Sequence, residues 1–340
     1  MADLDHRSDA LSGGKVSVYF PLQPSDPRQL APFARLAVAG YADRLWMGQS
    51  LNLDTHQVLA HLLGQGISPA MGIGLSLMPL THPFQAAVAA RSLAALSGKP
   101  LTAVFGTGTS AFRKALSQAS HDSALRVAEE YITEVTRLLR SPADEAQRED
   151  VDPGFRLDPA WTGPPVETGL GVLQERMARL AARSADVALT FMTPLPYMEK
   201  VLLPVFDTAD GPRVVSVVHV LVRRPGRDVG DTVLRATRNH LSGSNYRRTL
   251  STAGVRLDGS DTDIAGELVN HGVVLVGSCN DIAAAVSEYW AAGVDEVVLN
   301  PCTFLSEGPE EALRDLVEIS TACRTVTRPR RKESPWATRT

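Results

Sequence analysis

The sequence predicts one α/β domain, a (β/α)8 or TIM barrel with insertions, and three observations support this prediction. The chain has 340 residues, short apolar runs rich in β-branched residues alternate with amphipathic segments, and about eight such units follow one another from Val16 onward. Parallel strands joined by helices need right-handed crossovers, and eight units close a barrel of roughly 250 residues or more. An open, doubly wound parallel sheet is the alternative architecture.

The order of the predicted elements follows from where the apolar period changes between strand-like and helix-like. Strands are predicted at residues 16–20, 45–47, 70–77, 101–105, 187–191, 214–222, 273–276 and 296–299, and one more is expected before residue 172. Helices are predicted at residues 27–39, 55–63, 83–96, 122–139, 172–182, 197–206, 281–292 and 310–323. Residues 231–253 are expected to form a helical excursion between two strands.

Two breaks in this alternation define the predicted domain organisation. Residues 141–165 are rich in Pro, Asp, Glu and Gly without a clear period, so they and the stretch 228–265 are predicted to be insertions into a barrel formed by residues 16–324. Residues 1–15 are expected to be a flexible N-terminal segment, and residues 325–340 a flexible basic tail. Because a barrel carries its site at the C-terminal ends of its strands, both insertions could cover that site.

The composition narrows the class of protein. A net charge of −4 argues against nucleic acid as the main partner, since neutralising phosphates needs a basic surface. No apolar run reaches the roughly 18 residues of a membrane helix, and the polar N-terminus lacks a signal-peptide core, so we expect a cytoplasmic protein without a membrane partner. Cys279, Cys302 and Cys323 lack metal-ligand spacing and are expected to be reduced thiols. Most Asp and Glu residues lie on predicted helices, where we expect them on the solvent-exposed faces.

Glycines at predicted strand ends are the strongest local signals. The segment GTGTS at residues 106–110 directly follows an apolar strand, where glycines let the backbone approach a flat ring or a phosphate. Gly72 and Gly74 occupy alternate positions of one strand, so that one face has no side chains there. Such a face makes room either for a ligand or for neighbouring packing, and the sequence leaves both interpretations open.

A third segment, GLGVLQERM at residues 169–177, leads from a short turn into a helix whose free N–H groups suit a phosphate. Motifs for a serine nucleophile elbow, a zinc protease, a CxxC redox pair and a Walker loop are all absent from the sequence, and we expect no metal. A chain with glycine-lined strand ends and no such catalytic set is typical of an enzyme whose cofactor supplies the chemistry.

Taken together, four segments resemble the luciferase-like monooxygenase and reductase family. They are ADRLWMGQS, GIGLSLMPLTHPFQAAVAARSLAALSGKPLTAVFGTGT, LGVLQERMARLAARSADVALTFMTP and NHGVVLVGSCNDIAAAVSEYWAAGVDEVVLNP, in the family's order. The resemblance runs from Val16 to Cys323. It implies a barrel that holds a flavin-type ring at the C-terminal ends of the strands, with a non-prolyl cis peptide at Gly74–Leu75 behind the ring.

The resemblance also implies which residues bind the cofactor. Around the ring it places Trp46, Gly74, Leu75, Ser76, Gly106, Thr107 and Gly108, and around the phosphate Gly171, Val172, Leu173, Gln174, Thr190 and Thr193. Family members use either FMN or the deazaflavin coenzyme F-420, and the segments look more like the F-420-dependent branch. FMN stays the alternative, for which Arg113 is the nearest basic residue behind the fourth strand. A homodimer is compatible with the resemblance.

Two departures from the F-420-dependent alcohol dehydrogenases decide the expected reaction. Where that branch has an acidic residue and a histidine after Trp46, this chain has the segment MGQS, and Thr109 replaces a glutamate after GTG. None of these side chains can remove an alcohol's proton, so alcohol oxidation is disfavoured. The expected reaction is hydride transfer from reduced F-420 to an activated C=C or C=N bond of a natural-product or peptide-like small molecule.

Candidate catalytic and substrate residues follow from this expectation. Gln49, Ser50 and His56 are the candidate catalytic residues, and Tyr19, Asn52, Thr109 and Tyr246 the candidate substrate-binding residues. Two other functions remain open: an FMN-dependent two-component monooxygenase and a non-catalytic, cofactor-binding relative.

Overall fold

The computed structural model describes residues 14–116, 123–140, 157 and 161–326, and its centre is a closed barrel of eight parallel strands. The barrel strands are β1 Lys15–Phe20, β2 Leu45–Met47, β3 Met71–Leu77, β4 Leu101–Gly106, β5 Val166–Gly171, β6 Val187–Phe191, β7 Arg213–Val222 and β9 Glu296–Pro301. The first strand pairs with both β2 and β9, which closes the ring. The predicted barrel is therefore confirmed and the open sheet is wrong.

One predicted strand lies outside the barrel. Strand β8, Val274–Gly277, pairs with the C-terminal end of β7, from His219 to Val222. Strand β6 pairs with β7 as far as Phe191 and Val217. Beyond that point, β8 takes the place of β6 along the same edge of β7. The sequence signal for β8 was correct, but an apolar run of this length does not reveal whether a strand closes a ring or extends it.

Helices surround the barrel. They are α1 Ala31–Val38, α2 Thr55–Gly64, α3 Pro83–Ser97, α4 Ser110–Ala115, α5 Ala124–Arg140, α6 Glu175–Ser184, α7 Leu195–Tyr197, α8 Leu203–Phe206, α9 Val229–Leu241, α10 Ser244–Thr252, α11 Asp261–Asn270, α12 Cys279–Ala292, α13 Phe304–Glu307 and α14 Pro309–Thr325. A 3-10 turn, Pro27–Leu30, precedes α1, another, Met78–Leu80, precedes α3, and a π-helical stretch, Met198–Leu202, joins α7 to α8. Several of the helices, such as α2, α9 and α12, begin at a side-chain cap.

The inserted region between β7 and β8 contains the predicted helical excursion. Residues 231–253 form it as two helices, α9 and α10, with a turn at Ser242 and Gly243. A third helix, α11, follows after a turn at Gly259, where φ is +137°. These helices share an apolar cluster with the end of β7 and with β8, which contains Leu221, Leu250, Leu268 and Val274. The insertion therefore has a small core of its own.

The other predicted insertion, residues 141–165, falls largely outside the described residues, as do most of the N-terminal segment and the basic tail. The helix predicted at 172–182 begins only at Glu175, because β5 continues to Gly171 and three residues turn the chain. In the described part of the chain, no helix combines the length and the apolar character needed to cross a membrane.

The barrel interior consists of side chains in layers, because alternate residues of each strand point inward. We call the polar layer at the N-terminal ends of the strands the base; it contains Ser17, Arg44, Thr102, Glu167, Arg213 and Glu296. A middle layer follows, with Trp46, Val104, Leu189, Val215 and Val298 in one apolar cluster. Glu167 and Glu296 are therefore strand residues whose carboxylates lie inside the barrel. They are exceptions to the expectation that most carboxylates lie on solvent-exposed faces of helices.

Candidate active site at the C-terminal ends of the strands

The uppermost inward-facing layer, which we call the mouth, has two different halves. One half is lined by glycines of neighbouring strands and of the turn after β2: Gly48, Gly74, Gly106 and Gly171. The other half carries large or polar side chains on β1, β6, β7 and β9: Tyr19, Phe191, His219 and Asn300. In a barrel of this class the mouth is where ligands bind. We call its glycine-lined half the smooth half.

Neighbouring side chains explain why the smooth half needs glycine. A Cβ at Gly72 would lie 2.4 Å from the Trp46 ring, and one at Gly74 would lie 2.8 Å from Leu189. Of the two interpretations left open for this face, packing therefore applies at Gly72. Higher up, a Cβ at Gly106 or Gly171 would lie 2.7 or 2.6 Å from the tip of the Leu75 side chain.

Leu75 therefore lies at the centre of the smooth half. The peptide bond between Gly74 and Leu75 is cis, as the family resemblance implied. The strand register shifts at this point, between Gly74 and Ser76, and the Leu75 carbonyl accepts a hydrogen bond from the Gln49 N–H at 2.8 Å. Leu75 and Ser76 are both half-buried, so they border the accessible side of the mouth.

Trp46 lies one layer below the predicted ring site. Its side chain is completely buried, and its Nε1–H donates to the Glu296 carboxylate at 2.6 Å. The Arg44 guanidinium lies 5.9 Å from the indole centroid. Trp46 thus connects the middle layer to the base, and the structure does not bring it to the mouth.

The turn after β4 is held in place by an arginine side chain. Arg113, on α4, donates from Nη1 to the carbonyl oxygens of Thr107 at 3.4 Å and Gly108 at 2.9 Å. Gly108 has φ of +67°, a conformation that glycine adopts without strain. Thr109 is exposed, and its hydroxyl accepts from the Phe112 N–H at 3.1 Å. Thr109 therefore caps α4, while Thr107 and Gly108 are half-buried beside the mouth.

The turn between β5 and α6 has the features of an anion site. Gln174 is the N-cap of α6, but its side chain makes no capping hydrogen bond, so the first amides of the helix have no side-chain acceptor there. The Leu173 carbonyl accepts from the Tyr197 hydroxyl at 3.2 Å and from the Thr249 hydroxyl at 3.3 Å. The Val172 N–H donates to the Leu189 carbonyl at 2.7 Å. The turn is thereby fixed to β6 and to the inserted helix α10.

The predicted catalytic residues after β2 form hydrogen bonds within their own loop. The buried Ser50 hydroxyl accepts from the N–H groups of Asn52 at 3.1 Å and Leu53 at 3.2 Å. Gln49 donates to the Ser50 carbonyl at 3.0 Å and accepts from the Leu77 N–H at 3.4 Å. These contacts give both residues a role in loop geometry, and the exposed Asn52 donates to the Gln23 carbonyl at 3.3 Å.

Three other predicted residues occupy different places. His56 is half-buried in the first turn of α2, and burial lowers its pKa although Asp54 opposes the shift. Thr190 lies on the face of β6 opposite Phe191, and its buried hydroxyl has no hydrogen-bond partner in the described part of the chain. Thr193 is buried after the strand and donates to the Phe191 carbonyl at 3.2 Å. The structure does not bring Thr190 to the mouth.

Tyr246, predicted from the insertion, does reach the mouth and joins a cluster of rings there. Phe191 lies at its centre, with ring centroids 6.2 Å from Tyr19, 6.1 Å from Tyr246 and 4.7 Å from His240. The His219 ring lies 5.2 Å from Phe191. Tyr19 also donates from its hydroxyl to the Gly74 carbonyl at 3.0 Å, so the cluster touches the smooth half.

Sequence reasoning missed His219, His240 and Asn300 as site residues, and it pointed to Phe191 only as part of a strand end, without a role. A signal existed for one of them, because His219 is the histidine inside the apolar run 214–222 and has the same inward parity as Val215 and Val217. Asn300 stands directly opposite His219 in the strand register. The position of His240 depends on the fold of the insertion, which the sequence pattern did not resolve.

Burial keeps the titratable groups of the mouth neutral. It lowers the pKa of His219 to about 3, with a further contribution from His240, and lowers the pKa of His240 to about 4. Burial also raises the pKa of Tyr246 to about 12 and raises that of Tyr19 further, Tyr246 adding to the second shift. At neutral pH both histidines are therefore uncharged and both tyrosines carry their protons. Within the described ranges, no group of three metal-ligating side chains comes together.

Comparisons with known proteins agree with this architecture. A family model described as luciferase-like monooxygenase matches residues 7–296. No curated protein sequence matches significantly. Three solved structures illustrate the similarity. An F-420-dependent secondary alcohol dehydrogenase, in complex with an F-420–acetone adduct, has a TM-score of 0.67 at 13% identity, with 92% of this chain and 99% of that chain covered.

The second is the oxygenating constituent of 3,6-diketocamphane monooxygenase from Pseudomonas putida, in complex with FMN. It has a TM-score of 0.64 at 14% identity, with 93% of this chain and 100% of that chain covered. EDTA monooxygenase from Chelativorans sp. BNC1 is similar with a TM-score of 0.63 at 17% identity, covering 95% of this chain and 96% of that chain. At identities this low, the structural similarity shows the shared barrel fold alone. The neighbours differ in cofactor, since one contains F-420 and another FMN.

Proposed function

The chain belongs to the luciferase-like monooxygenase family, and from this premise we propose that it is an oxidoreductase that uses reduced coenzyme F-420. Its substrate would be a natural-product or peptide-like small molecule with an electron-poor C=C or C=N bond. The observation that carries the proposal is the N-terminus of α6, which has no side-chain cap and is separated by three residues from Gly171 in the smooth half of the mouth. A phosphate-bearing planar cofactor needs both features side by side.

The residues present fit such a group. The amides at the start of α6 would hold the phosphate, and Leu173 is fixed there by the Tyr197 and Thr249 hydroxyls. The ring would lie against Leu75, with Thr107 and Gly108 at its edge. When bound in its reduced form, the deazaflavin supplies a hydride ion.

The side chains of the mouth favour reduction over alcohol oxidation. Removing an alcohol's proton needs a general base with a suitable pKa. The histidines of the ring cluster resist protonation because burial lowers the pKa of each, and the tyrosines are protonated. These rings can hold a neutral substrate, and a tyrosine hydroxyl, which carries its proton, can donate that proton to the substrate after hydride has arrived. The Tyr246 hydroxyl, on the inserted helix α10, is our candidate to hold that proton.

An FMN-dependent monooxygenase is the second candidate, and Arg113 is the observation that favours it. Its guanidinium is positioned directly behind the β4 turn, where a phosphate of FMN could share it with the carbonyls of Thr107 and Gly108. Arginine binds phosphate well because its donors form a fixed planar fork.

Titration of the purified protein with each cofactor, followed by absorption and fluorescence, tests the proposal. We expect saturable binding of F-420 and at least about tenfold weaker binding of FMN, which corresponds to about 1.4 kcal/mol. Arg113→Gln should weaken FMN binding more than F-420 binding, because only FMN would place its phosphate on this guanidinium, whereas the loosened turn at Thr107 and Gly108 would affect both rings. Saturable binding of FMN alone, lost in Arg113→Gln, would reverse the assignment. Absence of binding by either cofactor would overturn both candidates.

A further inference from the structure

One carbonyl oxygen in the turn between β5 and α6 is contacted by hydroxyl groups from two other parts of the chain. The Leu173 carbonyl lies 3.2 Å from the hydroxyl of Tyr197, on α7, and 3.3 Å from the hydroxyl of Thr249, on α10. Both of these side chains are buried. Since α7 follows β6 and α10 belongs to the insertion, segments 24 and 76 residues away in the sequence meet at this single peptide group.

The Tyr197 hydroxyl makes the firmer of the two contacts. Burial raises the pKa of Tyr197, and the Glu175 carboxylate adds to the shift, so the phenol keeps its proton and donates to Leu173. The Thr249 hydroxyl lies also 3.1 Å from the Asn245 carbonyl, one turn back in α10. Its single hydrogen is therefore shared between two acceptors. We expect Tyr197 to fix the Leu173 carbonyl more strongly than Thr249 does.

A fixed carbonyl also fixes the amide that follows it in the chain. A trans peptide group is planar, so the N–H of Gln174 points in the direction opposite to the Leu173 carbonyl. Gln174 is the N-cap of α6, and its side chain makes no capping hydrogen bond. The orientation of this peptide group is therefore set by hydroxyl groups from outside the turn.

Helix α10 is itself held on both sides of Thr249. Leu250 has no exposed surface and belongs to the apolar cluster of the insertion. Tyr246 lies three residues before Thr249, on the same face of the helix, and its ring centroid is 6.1 Å from that of Phe191 at the mouth. One anchored helix thus contacts both the turn before α6 and the ring cluster.

We propose that Tyr197 and Thr249 are positioning residues for the phosphate of the cofactor, and that the insertion thereby forms part of the cofactor site. An anion binds more tightly to amides that are oriented before it arrives, because no ordering cost remains to be met. This role rests on the proposed function in one respect, since it takes the start of α6 as the phosphate site. It holds equally for F-420 and for FMN, because both carry a phosphate.

Titration of the full chain with rings that carry a phosphate and rings that lack it tests this role. The probes are F-420 and FMN, with hydroxydeazariboflavin and riboflavin as their phosphate-free counterparts. For the phosphorylated ring that the wild type binds, we expect Tyr197→Phe to weaken binding about five- to tenfold and Thr249→Val about threefold, the usual range for one lost hydrogen bond. The phosphate-free counterpart should bind to both variants as it binds to the wild type.

The same helix offers a matched control for Thr249→Val. The Thr252 hydroxyl donates to the Arg248 carbonyl at 2.8 Å, the same kind of bond that Thr249 makes to Asn245, but the Thr252 side chain is exposed. Thr252→Val should therefore bind all four probes like the wild type. Thr249→Ser keeps a hydroxyl group and should recover most of the affinity that Thr249→Val loses.

A matched control for Tyr197→Phe lies on α5. The buried Tyr131 hydroxyl donates to the Thr81 carbonyl at 2.9 Å, so Tyr131→Phe removes an equivalent bond at a different turn. This variant should keep the wild-type affinity for every probe. Circular dichroism reports whether each variant is folded, and the comparison of Thr249→Val with Thr249→Ser decides the question if Tyr197→Phe folds poorly.

Two results would overturn this role. One is an equal loss of affinity for the phosphorylated ring and its phosphate-free counterpart in the folded variants, because the hydroxyls would then support the barrel in general. The other is unchanged binding of the phosphorylated ring in Tyr197→Phe and in Thr249→Val.

The choice of probes separates this role from the proposed function. Binding of FMN in place of F-420 would reject the F-420-dependent reaction, and the comparison of FMN with riboflavin would still test the two hydroxyls. Binding of F-420 that is unaffected by both variants would reject the positioning role alone. Binding of neither phosphorylated ring to the wild type would reject both.

Discussion

Replacing Glu296 by leucine is expected to lower the free energy of unfolding by about 3–5 kcal/mol, the usual effect of breaking a buried ion pair. Glu296 has no exposed surface and lies at the base of the barrel. Its carboxylate contacts Arg213 at 2.7 Å and Arg44 at 3.7 Å. Leucine would leave both guanidinium groups with Glu167 as their remaining carboxylate. Urea unfolding followed by circular dichroism measures the change.

The carboxylate also organises neutral partners, which increases the expected loss. The Ser17 hydroxyl and the Trp46 indole N–H each donate to Oε1 of Glu296 at 2.6 Å. Both donors would lose their acceptor inside the barrel, where water cannot easily replace it. Asp231→Asn is the matched control, because it removes an exposed ion pair with Arg235 on α9 and should change stability by less than about 1 kcal/mol. A similar small effect of Glu296→Leu would contradict the argument.

The same site predicts a pH dependence. Burial alone would raise the pKa of Glu296, but Arg44 and Arg213, with Ser17 and Trp46, hold it at about 2, below the ordinary value of 4.5. A carboxyl group with a lowered pKa stabilises the fold above its ordinary pKa and loses this contribution as the pH falls toward its folded value. Wild-type stability should thus decrease between about pH 4.5 and pH 2, and Glu296→Gln should show a flatter profile there.

The barrel was predictable from the sequence because its signal is local. Each strand shows as a short apolar run and each helix as an amphipathic period, so the order of the elements follows without knowledge of contacts. The ring-closing role of a strand is not local. The run that forms β8 looks like the run that forms β9, yet only β9 pairs with β1.

Sequence reasoning located residues of the mouth where backbone geometry carries the signal, and it missed them where side chains distant in the sequence meet. Gly106 and Gly171 were singled out from their positions at strand ends, and the structure places both at the mouth. His219 and Asn300 are 81 residues apart, so their contact depends on the closed ring. The base was missed for the same reason, since the acidic residue before an apolar strand, Glu296, resembles a solvated strand start until the barrel surrounds it.

A double variant, Gly106→Ala with Gly171→Ala, is expected to weaken cofactor binding by at least about tenfold while leaving the fold intact. The two added methyl groups would lie 2.7 and 2.6 Å from the ends of the Leu75 side chain. Trp46 and Leu189 fill the layer beneath Gly74, so Leu75 has to turn upward into the mouth. There it would occupy the space in which we propose that the ring binds. Titration with F-420 and FMN measures the loss.

Two further variants decide whether this steric explanation is correct. Gly64→Ala is the matched control, because a methyl group in helix α2 would meet nothing within 4 Å, and it should bind the cofactor like the wild type. Adding Leu75→Ala to the double variant removes the displaced side chain and should restore most of the affinity. If the affinity stays low after that truncation, the glycines act through the backbone and not by making room for Leu75. Unchanged affinity in the double variant would show instead that the ring binds away from Gly106 and Gly171.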